Sequence, residues 1–404
     1  MADGVGRFFQ IPIPGFRPYV VFGPEAARKV LITDRNKLLW RNTDPVTSLL
    51  NLGVLVTDGE EHDSVRALME PKLHPGQLPG YTSTMLKQTD RVASQWQDGD
   101  IVDLLVEGRK IALLIVMDAL FGVDAWNDLS RIWTPILKAI EFISPGLWIF
   151  WRNLPRPGYR KDLKKLDDYL YGLISDQRRQ LAGEQTIPDA RFSSPNLIHH
   201  LMDADLKDST IRDQMLTMII AGHDTSTALL AWTFALLGRH PDIHGRLVEE
   251  VDKLESKSPL LDQVIKESLR LYPPIHIGNR RVHEQIEFPN GNIPAGERMF
   301  YSIYLTHRDP AVWEHAEEFR PERFAHGRKT PPMSYLPFGG GPRACLGAAF
   351  GQAEARLVIA RLLRTVTFEP VNAHKIRPHM GATLEPRPGV FMRIKKRSVV
   401  CPPL

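Results

Sequence analysis

The chain has 404 residues, 43% of them hydrophobic and 24% charged, and a formal net charge of +4. So slight a basic excess argues against a nucleic-acid partner, while two cysteines, Cys345 and Cys401, exclude a disulfide framework and point to an intracellular, cytoplasmic protein. No CxxC, HExxH, GxSxG or P-loop pattern occurs, which removes the usual anchors for zinc-peptidase, esterase and nucleotide-hydrolase readings.

The N-terminal stretch MADGVGRFFQIPIPG lacks the basic-then-apolar pattern of a signal peptide. A first strand is expected within Phe8–Phe22, which leaves little room for a leading helix, and YVVFGPEAARKVLI reads as strand then helix. From about Glu60 to Tyr272 the periodicity is mostly that of amphipathic helices. Near its start, in GEEHDSVRALMEPKL, His62 and Arg66 stand one helical turn apart and can face the same anion. The aromatic run FISPGLWIFW, Phe142–Trp151, is broken by Pro145 and Gly146 and is far shorter than the ~20 residues that span a bilayer. No transmembrane anchor is expected; Trp148, Phe150 and Trp151 either touch a hydrophobic ligand or membrane surface or pack into their own segment.

The stretch TMIIAGHDTSTALLAWTFALLGRHP, Thr217–Pro241, predicts a long helix, with Ser209 and Thr210 as candidate N-caps, a capping-box spacing from Thr210 to Asp213, and a stop at Gly238 and Pro241. Its middle is apolar except for Asp224, Thr225, Ser226 and Thr227, and polar groups at such a place must be paired or functional. Gly222 lets a ligand approach the backbone, Thr225 can loosen a local hydrogen bond, and an acid beside an alcohol can relay protons. In DQVIKESLRLYPP, Glu267 and Arg270 stand three apart on an apolar helix face, the pattern of a buried ion pair. After Pro273 short strands are expected in RRVHEQIEF, NIPAGERMFYSIY and GVFMRIKK.

In LPFGGGPRACLGAAFGQAEARLVIARLL, Gly339 to Gly341 permit a tight turn, and Cys345 sits at or just before a helix N-terminus. There the unpaired N–H groups and the helix dipole are expected to lower the thiol pKa and favour a thiolate able to bind a metal. Arg343, two residues earlier, offers a cation for a carboxylate. Thr47–Val56, the helix face around Ile219–Ala221, PPIHIG and Gly381–Leu384 are candidate pocket linings, mostly aliphatic with His276 and Thr383 as polar points, which suggests a lipophilic ligand. The whole reads as mainly α with a smaller β-rich part (α+β), in one domain over residues 1–404.

Phe338-x-x-Gly341-x-Arg343-x-Cys345-x-Gly347 resembles the heme-binding signature of the cytochrome P450 superfamily, soluble prokaryotic type. Three further motifs follow the superfamily order: His62-x-x-x-Arg66, Ala221-Gly222-x-Asp224-Thr225, and Glu267-x-x-Arg270 with Arg323 of FRPERF as third member. The resemblance covers about Val21 to Arg393 and implies a long central helix over the cofactor. It implies heme b, with Cys345 as the axial thiolate and Phe338, Gly339 and Gly347 framing its loop. Ala221 and Gly222 would seat the helix over the cofactor, and His62, Arg66, Arg343 and Arg280 would meet its propionates, with Arg281 a competitor of Arg280. Asp224 and Thr225 would then be the catalytic pair that routes protons to bound oxygen, and the Glu267 triad would be structural. What the resemblance implies is a monooxygenase of a terpenoid, fatty acid, sterol or polyketide; a peroxide-driven peroxygenase of the same fold and a heme-binding sensor without turnover are the alternatives. No flavin or nicotinamide domain fits, so electrons would come from a ferredoxin or flavodoxin with an NAD(P)H-dependent reductase, docked near Lys72, Arg66 and Arg343 of a monomer.

Overall fold

A computed structural model describes residues 7–40, 45–146, 156–183, 196–253, 258–326 and 329–397. Trp148, Phe150, Trp151 and Cys401 lie outside the described residues. In chain order the helices begin with α1 (Pro24–Arg28), α2 (Pro45–Leu50), α3 (Gly59–Leu73), α4 (Leu78–Ala93) and α5 (Leu104–Ile115). They continue with α6 (Leu129–Ile143), α7 (Pro157–Leu181), α8 (Leu197–Asp203), α9 (Asp208–Arg239), α10 (Pro241–Asp252) and α11 (Pro259–Leu271). The short α12 (Ile303–Thr306) and the long α13 (Ala348–Thr365) complete them.

The strands β1 (Phe8–Gln10), β2 (Tyr19–Val21), β3 (Leu38–Leu39), β5 (Ile277–Val282) and β8 (Arg298–Ser302) form a five-stranded sheet in the order β1-β2-β8-β5-β3. Only β2 and β8 run parallel within it, in keeping with the long chain between them. A second sheet has the order β4 (Ile101–Asp103), β12 (Phe391–Lys396), β9 (Val366–Pro370). Two antiparallel pairs complete the β part, β6 (Ile286–Phe288) with β7 (Gly291–Ile293) and β10 (Arg377–Met380) with β11 (Leu384–Arg387). The strands expected after Pro273 are all there.

What places the site is α9. Residues 215–220 and 227–237 are apolar on nearly every face, apart from three threonines, and a helix of that kind must be buried all round. It packs most extensively on α5 and also touches α7, α11, α13 and β11. Its threonines at 217, 225, 227 and 233 each return their hydroxyl to the carbonyl four residues back, which lets them sit in an apolar helix without an orphaned donor.

The start of α9 corrects the sequence expectation. Helix begins at Asp208 with Lys207 as N-cap, so Ser209 and Thr210 lie inside the first turn. Asp213 closes no capping box; its carboxylate accepts from Leu52 N at 3.2 Å and from Arg212 Nη1 at 2.8 Å. Gln214 beside it accepts from Val54 N and donates to Leu52 O. A tertiary contact with the segment after α2 has taken the side chains that the local pattern assigned to the cap.

The Glu267 triad forms as expected. Glu267 and Arg270 are fully buried and doubly bonded, at 2.7 and 2.8 Å, and Arg323 Nε reaches Glu267 Oε1 at 3.2 Å. Arg270 also donates to the carbonyls of His307, Ala316 and Glu318, so each charge has its partners. His307, which sequence reasoning missed, joins this cluster to the cysteine loop. Burial pulls its pKa down to about 3, so the neutral ring donates from Nδ1 to Arg270 O at 3.1 Å and accepts at Nε2 from Leu336 N at 2.7 Å.

Candidate active site

Cys345 lies three residues before α13, whose N-cap is Gly347. Its own N–H donates to Phe338 O at 2.8 Å, which closes the glycine-rich loop upon itself. Gly341 has φ +68°, and a Cβ there would stand 2.3 Å from Leu31 O, so no other residue fits that turn without moving the backbone. Arg66 Nη1 donates to Ala344 O at 2.9 Å and ties α3 to the residue before the cysteine. Cys345 is exposed as a residue although protein surrounds its thiol, the state of a side chain that lines a recess.

The thiol's electrostatics correct the expectation of a depressed pKa. Burial pushes the Cys345 thiol up; the Gly347 N–H and the Arg66 charge pull it down by less. The N–H at the helix N-cap is outweighed by the loss of solvation, so the site does not by itself make a free thiolate. A coordinated metal would deprotonate it directly.

On α9 one turn is divided sharply. Ala221, Gly222, Thr225 and Ser226 are partly uncovered, while His223, Asp224 and Thr227 are buried. The uncovered four are spaced i, i+1, i+4, i+5 and so share one stripe. A Cβ on Gly222 would stand 2.8 Å from Val116 Cγ2, so the glycine also lets α9 close on its neighbour. Ser226 Oγ donates to Glu354 Oε2 at 2.6 Å, within the first two turns of the helix that follows Cys345. The uncovered stripe and the cysteine loop are thereby brought into one region.

Asp224 turns the other way. Its Oδ2 accepts from Thr383 Oγ1 at 2.7 Å, and Arg109 Nη2 stands 3.6 Å from its Oδ1. Burial first, and next the charge of Glu385, raise its pKa above the usual carboxylate range, against the pull of Arg109 and Thr383. His223 is buried too, and its pKa falls to about 3, so it is a neutral wall. Thr383, read from sequence as a polar point for a ligand, is therefore committed to Asp224.

The basic residues split. His62, Arg280 and Arg343 line one cavity of about 260 Å³, together with Asp58 and Asp63. Arg343 Nη2 binds Asp58 Oδ1 at 2.9 Å and the Thr57 carbonyl. His62 has its pKa lowered by burial and holds Asp63 through Nδ1 at 2.8 Å. Arg280 lies over the rings of Trp40 and Tyr301. Alternation along β5 buries Arg280 and turns Arg281 to the opposite face, which separates the two competitors. Arg66 is not brought to this cavity.

These residues fit a heme. An exposed cysteine stands on a glycine loop, Gly339 and Gly347 have open space where a side chain would lie, and a helix stripe carries only small residues. A cavity lined by Arg35, His62, Arg280 and Arg343 suits an anionic edge. A family model described as Cytochrome P450 matches residues 3–400, and the chain belongs to that family. It is a heme-thiolate monooxygenase with heme b as cofactor, which takes electrons from redox partners and acts on a lipophilic small molecule. It is 30% identical to pentalenene oxygenase of Streptomyces avermitilis, over 90% of this chain and 85% of that protein. It is 28% identical to cyclooctat-9-en-7-ol 5-monooxygenase of Streptomyces melanosporofaciens, over 98% and 88%. Protein LUTEIN DEFICIENT 5, chloroplastic, of Arabidopsis thaliana is 29% identical over 97% of this chain and 72% of its own. No described helix is long and apolar enough to cross a membrane.

Sequence reasoning singled out Cys345, Asp224 and Thr225 as candidates because their motifs are contiguous. Arg109, Glu354 and Glu385 were missed, and Thr383 was read as a ligand contact rather than as a partner of Asp224. Nothing in their own neighbourhoods marks them, since each becomes a site residue only through a contact with a distant segment.

Proposed function

We propose that this chain is a terpenoid monooxygenase in which Cys345 binds the heme iron and Asp224 and Thr225 pass protons to the uncovered stripe of α9. The observation that carries the reading is the division of that one helical turn: Thr225 borders the recess while Asp224, next to it, faces a buried set of charged groups. A proton taken up at the Asp224 carboxyl can thus be handed across the helix to the Thr225 hydroxyl, whose donation to Ala221 O at 2.6 Å fixes its rotamer. When bound, the heme supplies the one-electron and dioxygen chemistry. The chain's residues hold and orient it. His62, Arg280 and Arg343 take its propionates, Arg66 braces the cysteine loop, Phe338, Gly339 and Gly347 frame that loop, and Ala221 and Gly222 let α9 lie close.

Two relatives whose names specify a terpene-derived substrate support the terpenoid class, as does the aliphatic character of the candidate pocket segments. The electron donor is a ferredoxin or flavodoxin with an NAD(P)H-dependent reductase, docking near Lys72 in the last turn of α3, and the single catalytic domain works as a cytoplasmic monomer. The test is an absorption titration of the ferric holoenzyme with terpenes, fatty acids, sterols and macrolides. A Soret shift to high spin with terpenes alone is expected. A shift only with the other classes would overturn the terpenoid reading, and an unchanged heme spectrum in Cys345→Ser would overturn the assignment of the ligand.

A further inference from the structure

Among the described residues Asp224 Oδ1 has no hydrogen-bond partner, although a guanidinium stands beside it. Arg109 Nη2 is 3.6 Å away, beyond hydrogen-bond length. That same nitrogen makes a tight ion pair with Glu385 Oε1. The other oxygen of Glu385, Oε2, accepts from Arg387 Nη2 at 2.8 Å, and the Arg387 side chain is 52% exposed. A line of alternating charge therefore runs inward from solvent through Arg387, Glu385 and Arg109 to Asp224. The groups around Asp224 are Arg109 from α5, Glu385 of β11 with Thr383 just before it, and the neutral His223 on its own helix.

Two buried carboxyl groups share one arginine that is only slightly exposed, and geometry has given it to Glu385. Strand β11 is held in register on α9 by Trp232 Nε1, which donates to Leu384 O at 2.8 Å, and by the Thr383 bond to Asp224, so Glu385 cannot easily drift from Arg109. A carboxylate clamped by arginine takes up protons poorly, because the cation favours its charged form. We infer that Glu385 is a positioning residue for the relay: by engaging Arg109 it keeps that cation out of hydrogen-bonding contact with Asp224 and leaves Asp224 able to gain and lose a proton. The inference rests on the relay proposed for Asp224 and Thr225.

The test uses the resting ferric holoenzyme with 13C-labelled aspartate and no added substrate. The carbonyl stretch of protonated Asp224, assigned by its loss in Asp224→Asn, is followed by infrared spectroscopy against pH. Glu385→Gln frees Arg109 and should lower the midpoint by ~1–3 pH units, with partial return in Glu385→Asp. Arg109→Gln, which removes the contested cation, should raise it. A midpoint unchanged in Glu385→Gln, or unmoved in Arg109→Gln, would overturn the inference. The relay itself is judged separately by NADPH-driven oxygen consumption with a ferredoxin and its reductase, which should fall by ~100-fold in Asp224→Asn. Unchanged consumption would remove the relay, while the infrared midpoints would still decide whether Glu385 holds Arg109 away from Asp224.

Discussion

Glu354 is 1% exposed, and its only hydrogen-bonded oxygen accepts from Ser226, the residue beside Thr225. Burial pushes its carboxyl up to about 8, against the smaller pull of Ser226. Its folded pKa lies above the unfolded value near 4.5, so the native state holds this proton more tightly than the unfolded chain does. The stability that comes with the proton is complete below pH 4.5 and is lost as pH rises toward 8, by at most about 1.4 kcal/mol per unit. Glu354→Gln keeps an acceptor for Ser226 and removes the charge. Urea unfolding at pH 5, 6.5 and 8 should show wild type losing stability relative to the variant across the series, because the pH response of the buried histidines is common to both and cancels in the difference. Equal slopes would mean that Glu354 keeps an ordinary carboxylate. Cys345 obeys the same rule, since burial outweighed the helix end that sequence had marked.

Among the elements, the segment from Leu336 to α13 depends on partners at both ends. Arg66 holds Ala344, and His307 holds Leu336 to the buried triad under α11. Removing the imidazole leaves the buried Leu336 N–H unpaired, which costs about 1–3 kcal/mol. His307→Ala should lower stability by that amount and also reduce heme retention during gel filtration, because the loop that carries Cys345 is tethered through it. Lost stability with full heme retention would limit His307 to the triad. The long helix α9 tolerates its polar turn because each hydroxyl bonds back to the helix or across to Glu354, while Asp224 meets Thr383.

At the scale of the molecule, the helices close over one large apolar core and the five-stranded sheet over a smaller one. Burial also holds two histidines in the neutral form. His223 and His307 are wholly buried, and each is pulled to about 3 by desolvation. The unfolded chain binds these two protons near pH 6.5 and the native state does not, so their contribution is present above pH 6.5 and is lost as pH falls toward 3. Each adds up to about 1.4 kcal/mol per pH unit in that window. The urea midpoint should therefore drop from pH 7 to pH 4.5, and His223→Gln should blunt the drop. A midpoint equally steep in that variant would place the acid sensitivity in other groups.

The sequence by itself determined the class of protein, the long helix with its polar turn, the Glu267–Arg270 pair and the cysteine loop. Each of these is written in residues a few positions apart, where helical spacing or turn chemistry is enough. Only the tertiary structure decided that Arg280 rather than Arg281 enters the basic cavity, that Arg66 braces Ala344, that Asp213 serves the segment after α2 rather than a cap, and that Glu385 holds Arg109. Arg109 and Glu385 are 276 residues apart, Asp224 and Thr383 are 159 apart, and Ser226 and Glu354 are 128 apart. Periodicity reports which face of an element is apolar. It carries no record of which distant charge will be buried against it, and that burial raises the pKa of Asp224 and lowers that of His223.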